Sequence, residues 1–322
     1  MGLLVNGKWV DQWYDTEKHK GNFVRQESQF RETVDLKNTP IADDRYHLYV
    51  SYACPWAHRT LMFRQLKSLT TLISVSAVHP HMLEHGWAFD APYVDHVYSL
   101  PYLRDLYTKA DPNYSGRVTV PLLWDKKTQT AVNNESTEII RLFNSAFNHQ
   151  TKNDLDFYPE AYRAQIDAIN ETVYHTVNNG VYKAGFASRQ EAYSAAVVDL
   201  FKTLDQLEGL LASQKFLVGD ILTEADFRLL PTLLRFDAVY VTHFKCDKKR
   251  LVDYPNLFNY CKQLIQIPGL PETLHMDHIR DHYFYSHPTI NPFRIVSIGP
   301  EIDFLSPHDR DPEPLTCVQR AD

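Results

Sequence analysis

Cys54 stands directly before Pro55, between a run that alternates in β-forming residues, Tyr46-His47-Leu48-Tyr49-Val50, and a stretch in which Trp56, Phe63, Leu66 and Leu69 keep near-helical spacing. Proline at the first helical position makes Cys54 the N-cap. There the open backbone N–H groups and the helix dipole favour an anion. A thiol in such a place can have its pKa lowered from about 8.5 into roughly the 3.5–7.5 range, and the thiolate is the nucleophile. Position 57 is alanine, so Cys54-Pro55-Trp56-Ala57 has no resolving cysteine. A mixed disulfide on Cys54 then needs an outside thiol for its release, which is monothiol chemistry. The bland reading of such a residue is a buried structural thiol. Cys246, Cys261 and Cys317 have no comparable context and keep that reading.

Two other patterns imitate sites. Gly2-x-x-x-x-Gly7-Lys8 resembles a phosphate-binding loop, but Trp9 replaces the required Ser or Thr and no strand precedes it. His275, His278 and His282 could share a helical face, with His287 beyond, yet no acidic residue or cysteine completes a zinc site. No C-x-x-C pair is present, so the expectation is no metal.

The elements that must position Cys54 follow from periodicity. Tyr46–Val50 reads as a strand, 55–68 as a helix and 72–78 as a second strand, a βαβ unit with a parallel pair. Residues 1–45 read as a polar, irregular extension and 79–116 as a long loop-like insertion carrying Trp87. Residues 118–124 form a strand interrupted by Pro121, 130–132 a short one, and Asn134-Glu135-Ser136 opens a helix. From about 158 helix follows helix. One stripe, Tyr162 to Val177, ends at Gly180; a second helix starts at the capping box Ser188-x-x-Glu191. A third starts at Thr223-x-x-Asp226 and holds Pro231, and 254–266 gives a fourth. The expected domains are a 1–45 extension, an α/β domain over 46–150, an all-helical domain over 158–287 and a 288–322 tail.

Length and composition bound the function. A chain of 322 residues is a soft prior for two domains, and 44% hydrophobic with 13% aromatic residues can bury sizeable cores. A net charge of −7 supplies no basic face for nucleic acid. No apolar run approaches the ~18 residues of a membrane span, and the N-terminus lacks the pattern of a signal peptide, so the expectation is a soluble, cytoplasmic protein.

The element from Tyr46 through Cys54-Pro55-Trp56-Ala57-His58-Arg59, the Val120-Pro121 step and Glu135-Ser136 together resemble the α/β thioredoxin-like N-terminal domain of glutathione transferases, which an all-α helical C-terminal domain follows. That resemblance implies a cis Pro121, a main-chain pairing of Val120 with the cysteinyl part of glutathione, and a γ-glutamyl site at Glu135 and Ser136. YHLYVSYACPWAHRTL, SGRVTVPLLWDKK, NESTEIIR, TVNNGVYKAGFA, RFDAVYVTHFKCDK and HIRDHYFYSH extend the similarity to the glutathionyl-hydroquinone reductases, or xi class, over about residues 5–310. Carried over by position, Cys54 is the nucleophile. Trp87, Arg117, Val118, Val120, Glu135 and Ser136 hold glutathione. Tyr182 donates a proton near the leaving ring, while Tyr240 and Tyr283 hydrogen-bond near the thiolate and line the substrate pocket. The bland readings are helix caps for Glu135 and Ser136, a surface charge for Arg117, a loop plug for Trp87 and structural roles for the tyrosines. Glutathione is then a co-substrate and no cofactor is tightly bound. The partners are glutathione and aromatic glutathionyl-hydroquinones, in a homodimer without nucleic acid or membrane. The alternatives are an omega-like thiol transferase or dehydroascorbate reductase, and a non-catalytic binding module on the same scaffold.

Overall fold

A computed structural model describes residues 2–34, 44–310 and 318–319. The chain forms two compact units. Unit 1 comprises residues 1–13, 25–153 and 272–286; unit 2 comprises 14–24, 154–271 and 287–322.

Unit 1 opens with a hairpin, not with the irregular extension expected for 1–45. Strands β1 (Leu3–Val5) and β2 (Lys8–Val10) pair antiparallel across Asn6-Gly7, whose φ values are 47° and 73°. Both central residues are left-handed, which is the geometry that an Asn-Gly two-residue turn supplies. The pseudo phosphate-binding pattern is therefore a hairpin turn. Strand β3 (Tyr46–Val50) is buried along its whole length. It leads into helix α1 (Pro55–Leu66) and then strand β4 (Ile73–Ala77), which runs parallel to β3. The βαβ expectation holds.

The insertion over 79–116 is only partly a loop: helix α2 spans Leu103–Ala110 and buries Leu103, Leu106 and Tyr107. Of the expected strand over 118–124, only the part beyond Pro121 forms. Strand β5 (Gly116–Arg117) pairs with β1, and strand β6 (Leu122–Asp125) begins only after Pro121. Proline has no N–H to give to a ladder, so the strand starts beyond it. With strand β7 (Thr130–Asn133) the sheet order is β4-β3-β6-β7, and helices α3 (Ser136–Ser145) and α4 (Asn148–Thr151) follow.

In unit 2, strand β8 (Leu155–Asp156) precedes helix α5 (Arg163–Val173). Gly180 does not end that stripe. The chain passes through a π-helical segment, Tyr174–Asn178, into helix α6 (Gly180–Gly185). Asn178 Nδ2 donates to Thr232 Oγ1 at 2.8 Å and to the Arg228 carbonyl at 3.2 Å, a buried tie that keeps the helix going. Helix α7 (Gln190–Leu211) is not opened by Ser188. Its N-cap is Arg189, because Ser188 is engaged elsewhere, its hydroxyl donating to Thr16 Oγ1 and its N–H to the Gly21 carbonyl. Helix α8 (Glu224–Arg235) does start at the expected box: Thr223 caps it, and Asp226 accepts from the Thr223 N–H at 2.8 Å. A second π-helical segment, Phe236–Tyr240, leads into helix α9 (Val241–His243), and helix α10 (Pro255–Ile265) follows.

Helix α11 (Met276–Ser286) is the last of the described helices and belongs to unit 1, whereas the expected 158–287 domain would hold it. The physical reason is its partners: Met82 N–H donates to Ser286 Oγ at 3.0 Å, and His81 Nε2 pairs with Asp281 at 2.9 Å. Cys317, expected from the sequence to be a structural thiol, lies outside the described residues.

Candidate active site

In unit 1 the chain leaves β3 through a tight turn, with Ala53 N–H donating to Ser51 Oγ at 3.2 Å and Cys54 N–H to the Ser51 carbonyl at 3.1 Å. Cys54 is the N-cap of α1, extended at φ −75° and ψ 120°, and Pro55 takes the first helical position. The first turn carries no acidic side chain to oppose a thiolate. Cys54 is half-buried, whereas Cys246 and Cys261 are buried thiols whose pKa values burial pushes up. Cys54 Sγ donates to the Val120 carbonyl at 3.5 Å, and the Val120–Pro121 peptide is cis.

The ledge that presents Val120 is held by a residue the sequence reading passed over. Tyr107 on α2 donates its hydroxyl to the Thr119 carbonyl at 2.7 Å and accepts from the Thr119 N–H and Asn134 Nδ2, each at 3.1 Å. Burial pushes the Tyr107 phenol above its ordinary pKa, so it stays a donor. The apolar spacing of Leu103, Leu106 and Tyr107 is the signal that could have revealed this helix.

Glu135 caps α3, its Oε1 accepting from the Thr137 N–H at 3.1 Å, and its Oε2 accepts from Ser28 Oγ at 3.2 Å. Ser136 Oγ lies 3.5 Å from Glu135 Oε1 and receives Arg59 Nη1 at 3.5 Å. The Arg59 guanidinium in turn sits 4.5 Å from the Trp56 ring centroid. These residues bring a carboxylate, a hydroxyl and a buried cation to one helix N-terminus. Arg117 on β5 donates Nη1 to the Gln12 carbonyl at 2.5 Å, and Val118 and Val120 are buried. Trp87 lies in the insertion, its indole stacked on His282 with centroids 4.9 Å apart and planes at 25°. Tyr283 is buried on α11.

The remaining two tyrosines lie in unit 2, in one aromatic cluster. Tyr182 on α6 and Tyr240, at the end of the second π-helical segment, have ring centroids 6.1 Å apart. Phe244 bridges them, 5.5 Å from each and nearly parallel to Tyr240. Gly185 allows this packing: a Cβ there would lie 2.2 Å from the Phe244 ring. The π-helical turns beside both tyrosines are of the kind often found at functional sites.

His275 and His278 both meet the ring of Tyr52, at centroid distances of 3.8 and 5.4 Å, while His282 Nδ1 donates to the Pro80 carbonyl at 2.7 Å. Among the described residues, no three His, Cys, Asp or Glu side chains form a group that could hold a metal ion. No helix among them is long and apolar enough to cross a membrane.

The N-terminal domain family of glutathione S-transferases matches residues 53–146, and the C-terminal domain family matches 190–263. The chain is 54% identical over 324 positions to glutathionyl-hydroquinone reductase YqjG of Escherichia coli K12, covering 97% of this chain and 99% of that protein. The glutathione-bound structure of YqjG superposes with a TM-score of 0.87 over 95% of this chain and 98% of that one, at 50% identity. Glutathionyl-hydroquinone reductase PcpF of Sphingobium chlorophenolicum is 50% identical over 93% of this chain and 96% of its own length. The Xi glutathione S-transferase of Phanerochaete chrysosporium superposes with a TM-score of 0.86 over 90% and 96% of the two chains, at 51% identity. A cysteine at a helix N-cap beside a cis-proline ledge, followed by a helical half and matched over at least 90% of the chain by these relatives, means that the chain belongs to the glutathionyl-hydroquinone reductases, the xi class of glutathione transferases.

Proposed function

We propose that this chain reduces glutathionyl-hydroquinones to hydroquinones, with glutathione as co-substrate and Cys54 as nucleophile. The Cys54 thiolate attacks the sulfur of the conjugate, and an S–S bond forms as the bond from sulfur to the aromatic carbon breaks. The electron pair of that bond goes to the ring carbon, which takes a proton with help from Tyr182. Hydroquinone leaves and glutathione stays on Cys54 as a mixed disulfide. A second glutathione thiolate attacks that disulfide, releasing oxidised glutathione and restoring the Cys54 thiolate. Alanine at position 57 is what makes this external thiol necessary.

The observation that carries the reading is Cys54 at the N-cap of α1 with Sγ 3.5 Å from the Val120 carbonyl, the main chain proposed to pair with the cysteinyl part of glutathione. Val118 continues that ledge, Trp87 and Arg117 complete the glutathione site, and Glu135 and Ser136 suit the ammonium and carboxylate of the γ-glutamyl end. Tyr240 and Tyr283 are proposed to hydrogen-bond near the thiolate and to line the pocket for the ring. The family likeness supports a cytoplasmic homodimer built through the helical domains, which light scattering on the purified protein tests for its oligomeric part.

Intact-protein mass spectrometry after adding a glutathionyl-hydroquinone without free glutathione tests the first half-reaction. One glutathione adduct on wild type and none on Cys54→Ser, with hydroquinone released, is the expected result. No adduct on either would overturn the mechanism and favour a non-catalytic binding module.

A further inference from the structure

The loop that carries Trp87 is pinned by its main chain on several sides. His79 N–H donates to the Ala88 carbonyl at 2.9 Å, Phe89 N–H to the Pro101 carbonyl at 2.8 Å, and Leu103 N–H to the Trp87 carbonyl at 3.0 Å. From the other side, Trp9 of the hairpin donates Nε1 to the Glu84 carbonyl at 2.8 Å and lies so close to Gly86 that a Cβ there would be 2.7 Å from its ring. These bonds place the backbone of residue 87, but they leave the rotation of the indole about its side-chain bonds undetermined.

His282 stacks on that indole. Its ring lies against the indole face at 4.9 Å, and both residues are buried, at 8% and 6% exposure. The imidazole is itself held, because Nδ1–H donates to the Pro80 carbonyl at 2.7 Å and Ser286 Oγ, one helical turn on, reaches the same carbonyl at 3.3 Å. Ser286 also accepts from the Met82 N–H. Helix α11 is thus stapled to the start of the insertion at Pro80 and Met82, and it delivers one flat ring onto the one indole of that loop. A histidine needed only to tie α11 down would not need to lie parallel to Trp87.

We propose that His282 is a positioning residue for the glutathione reaction: it holds the Trp87 indole in the orientation in which that ring meets glutathione. This rests on the proposed contact of Trp87 with glutathione. Because the effect passes through Trp87, it bears on glutathione binding and not on the thiol exchange itself.

The test is calorimetric titration of glutathione into full-length protein carrying Cys54→Ser, which prevents disulfide formation, with His282 and Trp87 varied singly and together. An aromatic stack of this kind predicts a rise in Kd of about three- to tenfold for His282→Ala. His282→Phe keeps a flat ring and should recover most of the affinity. His282→Gln keeps a donor for Pro80, removes only the ring and carries the same expectation as alanine should His282→Ala fail to fold. In the Trp87→Ala background, changing His282 should have no further effect. In enzymes retaining Cys54, the KM for the glutathionyl-hydroquinone, whose glutathionyl part enters this site first, should rise while kcat holds. The proposal is overturned if Trp87→Ala weakens binding but the His282 variants stay within twofold of the parent, or if the loss on changing His282 is as large without Trp87 as with it. If Trp87→Ala itself leaves Kd unchanged, the assignment of Trp87 to glutathione fails first, and that result is read independently of His282.

Discussion

Cys54 Sγ lies 3.5 Å from the carbonyl oxygen of Val120, a residue 66 positions away. The contact joins the N-cap of α1 to the cis-proline ledge, so the nucleophile and the main chain proposed to pair with glutathione meet at one end of the neighbouring antiparallel strands β3 and β6. Replacing the thiol by a hydroxyl keeps a donor to that carbonyl and removes the sulfur. Cys54→Ser should therefore abolish release of hydroquinone while its thermal midpoint stays near that of wild type; turnover persisting in the variant would refute the assignment.

Glu135 has two tasks, one visible and one proposed. Its carboxylate caps α3 through the Thr137 N–H, a bond that an amide oxygen can also accept. Glu135→Gln should leave stability almost unchanged yet remove the charge offered to the glutathione ammonium. The expected result is a KM for the glutathionyl-hydroquinone, whose γ-glutamyl end meets this carboxylate, raised about tenfold or more, the scale of a hydrogen bond to a charged group, with kcat preserved. Steady-state kinetics over a conjugate series at fixed glutathione measures both.

Tyr182 stands in an aromatic cluster with Tyr240 and Phe244, so Tyr182→Phe keeps the ring contacts and loses only the hydroxyl. If that hydroxyl supplies the proton to the leaving ring, kcat should fall by about a hundredfold, the lower range for a positioned general acid. The first adduct on Cys54 should form correspondingly more slowly in rapid-quench mass spectrometry. A kcat within twofold of wild type would remove Tyr182 from the mechanism.

Gly185 makes room for Phe244, whose ring leaves only 2.2 Å for a Cβ at that position. Gly185→Ala should push Phe244 off Tyr182 and Tyr240 and destabilise the helical unit by about 1–3 kcal/mol, as overpacking does. Urea unfolding reads the midpoint. An unchanged midpoint would mean that the cluster relaxes without strain.

His47 on β3 is buried between Ser74 Oγ and Ser76 Oγ, each at 2.8 Å. Burial lowers its pKa from 6.5 to about 4. The folded protein therefore refuses a proton that the unfolded chain takes up. The stabilisation is complete above pH 6.5 and is lost as the pH falls towards 4, by about 3 kcal/mol in all. His47→Gln should be less stable than wild type at pH 7 and show a shallower fall between pH 6.5 and 4. Parallel pH profiles for the two proteins would show that other groups carry the acid sensitivity.

What the sequence determined by itself is local. Proline after Cys54 makes an N-cap because the ring presets the backbone and has no N–H to leave open, and Thr223 with Asp226 caps α8 because three residues are one helical turn. The β3–α1–β4 order follows from periods of two and near four. Asn6-Gly7 is equally local, a two-residue turn between Leu3–Val5 and Lys8–Val10, but reading 1–45 as an irregular extension passed over it. The tertiary structure decided the rest. Ser188 carries a capping pattern, yet its groups go to Thr16 and Gly21, more than 160 positions away, so Arg189 takes the N-cap. Helix α11 reads like the helices before it, but its bonds to Pro80 and Met82 give it to the first unit and bring His282 onto Trp87. Propensity and capping act within about one helical turn. Partners hundreds of positions apart are chosen by packing, which no window of sequence contains.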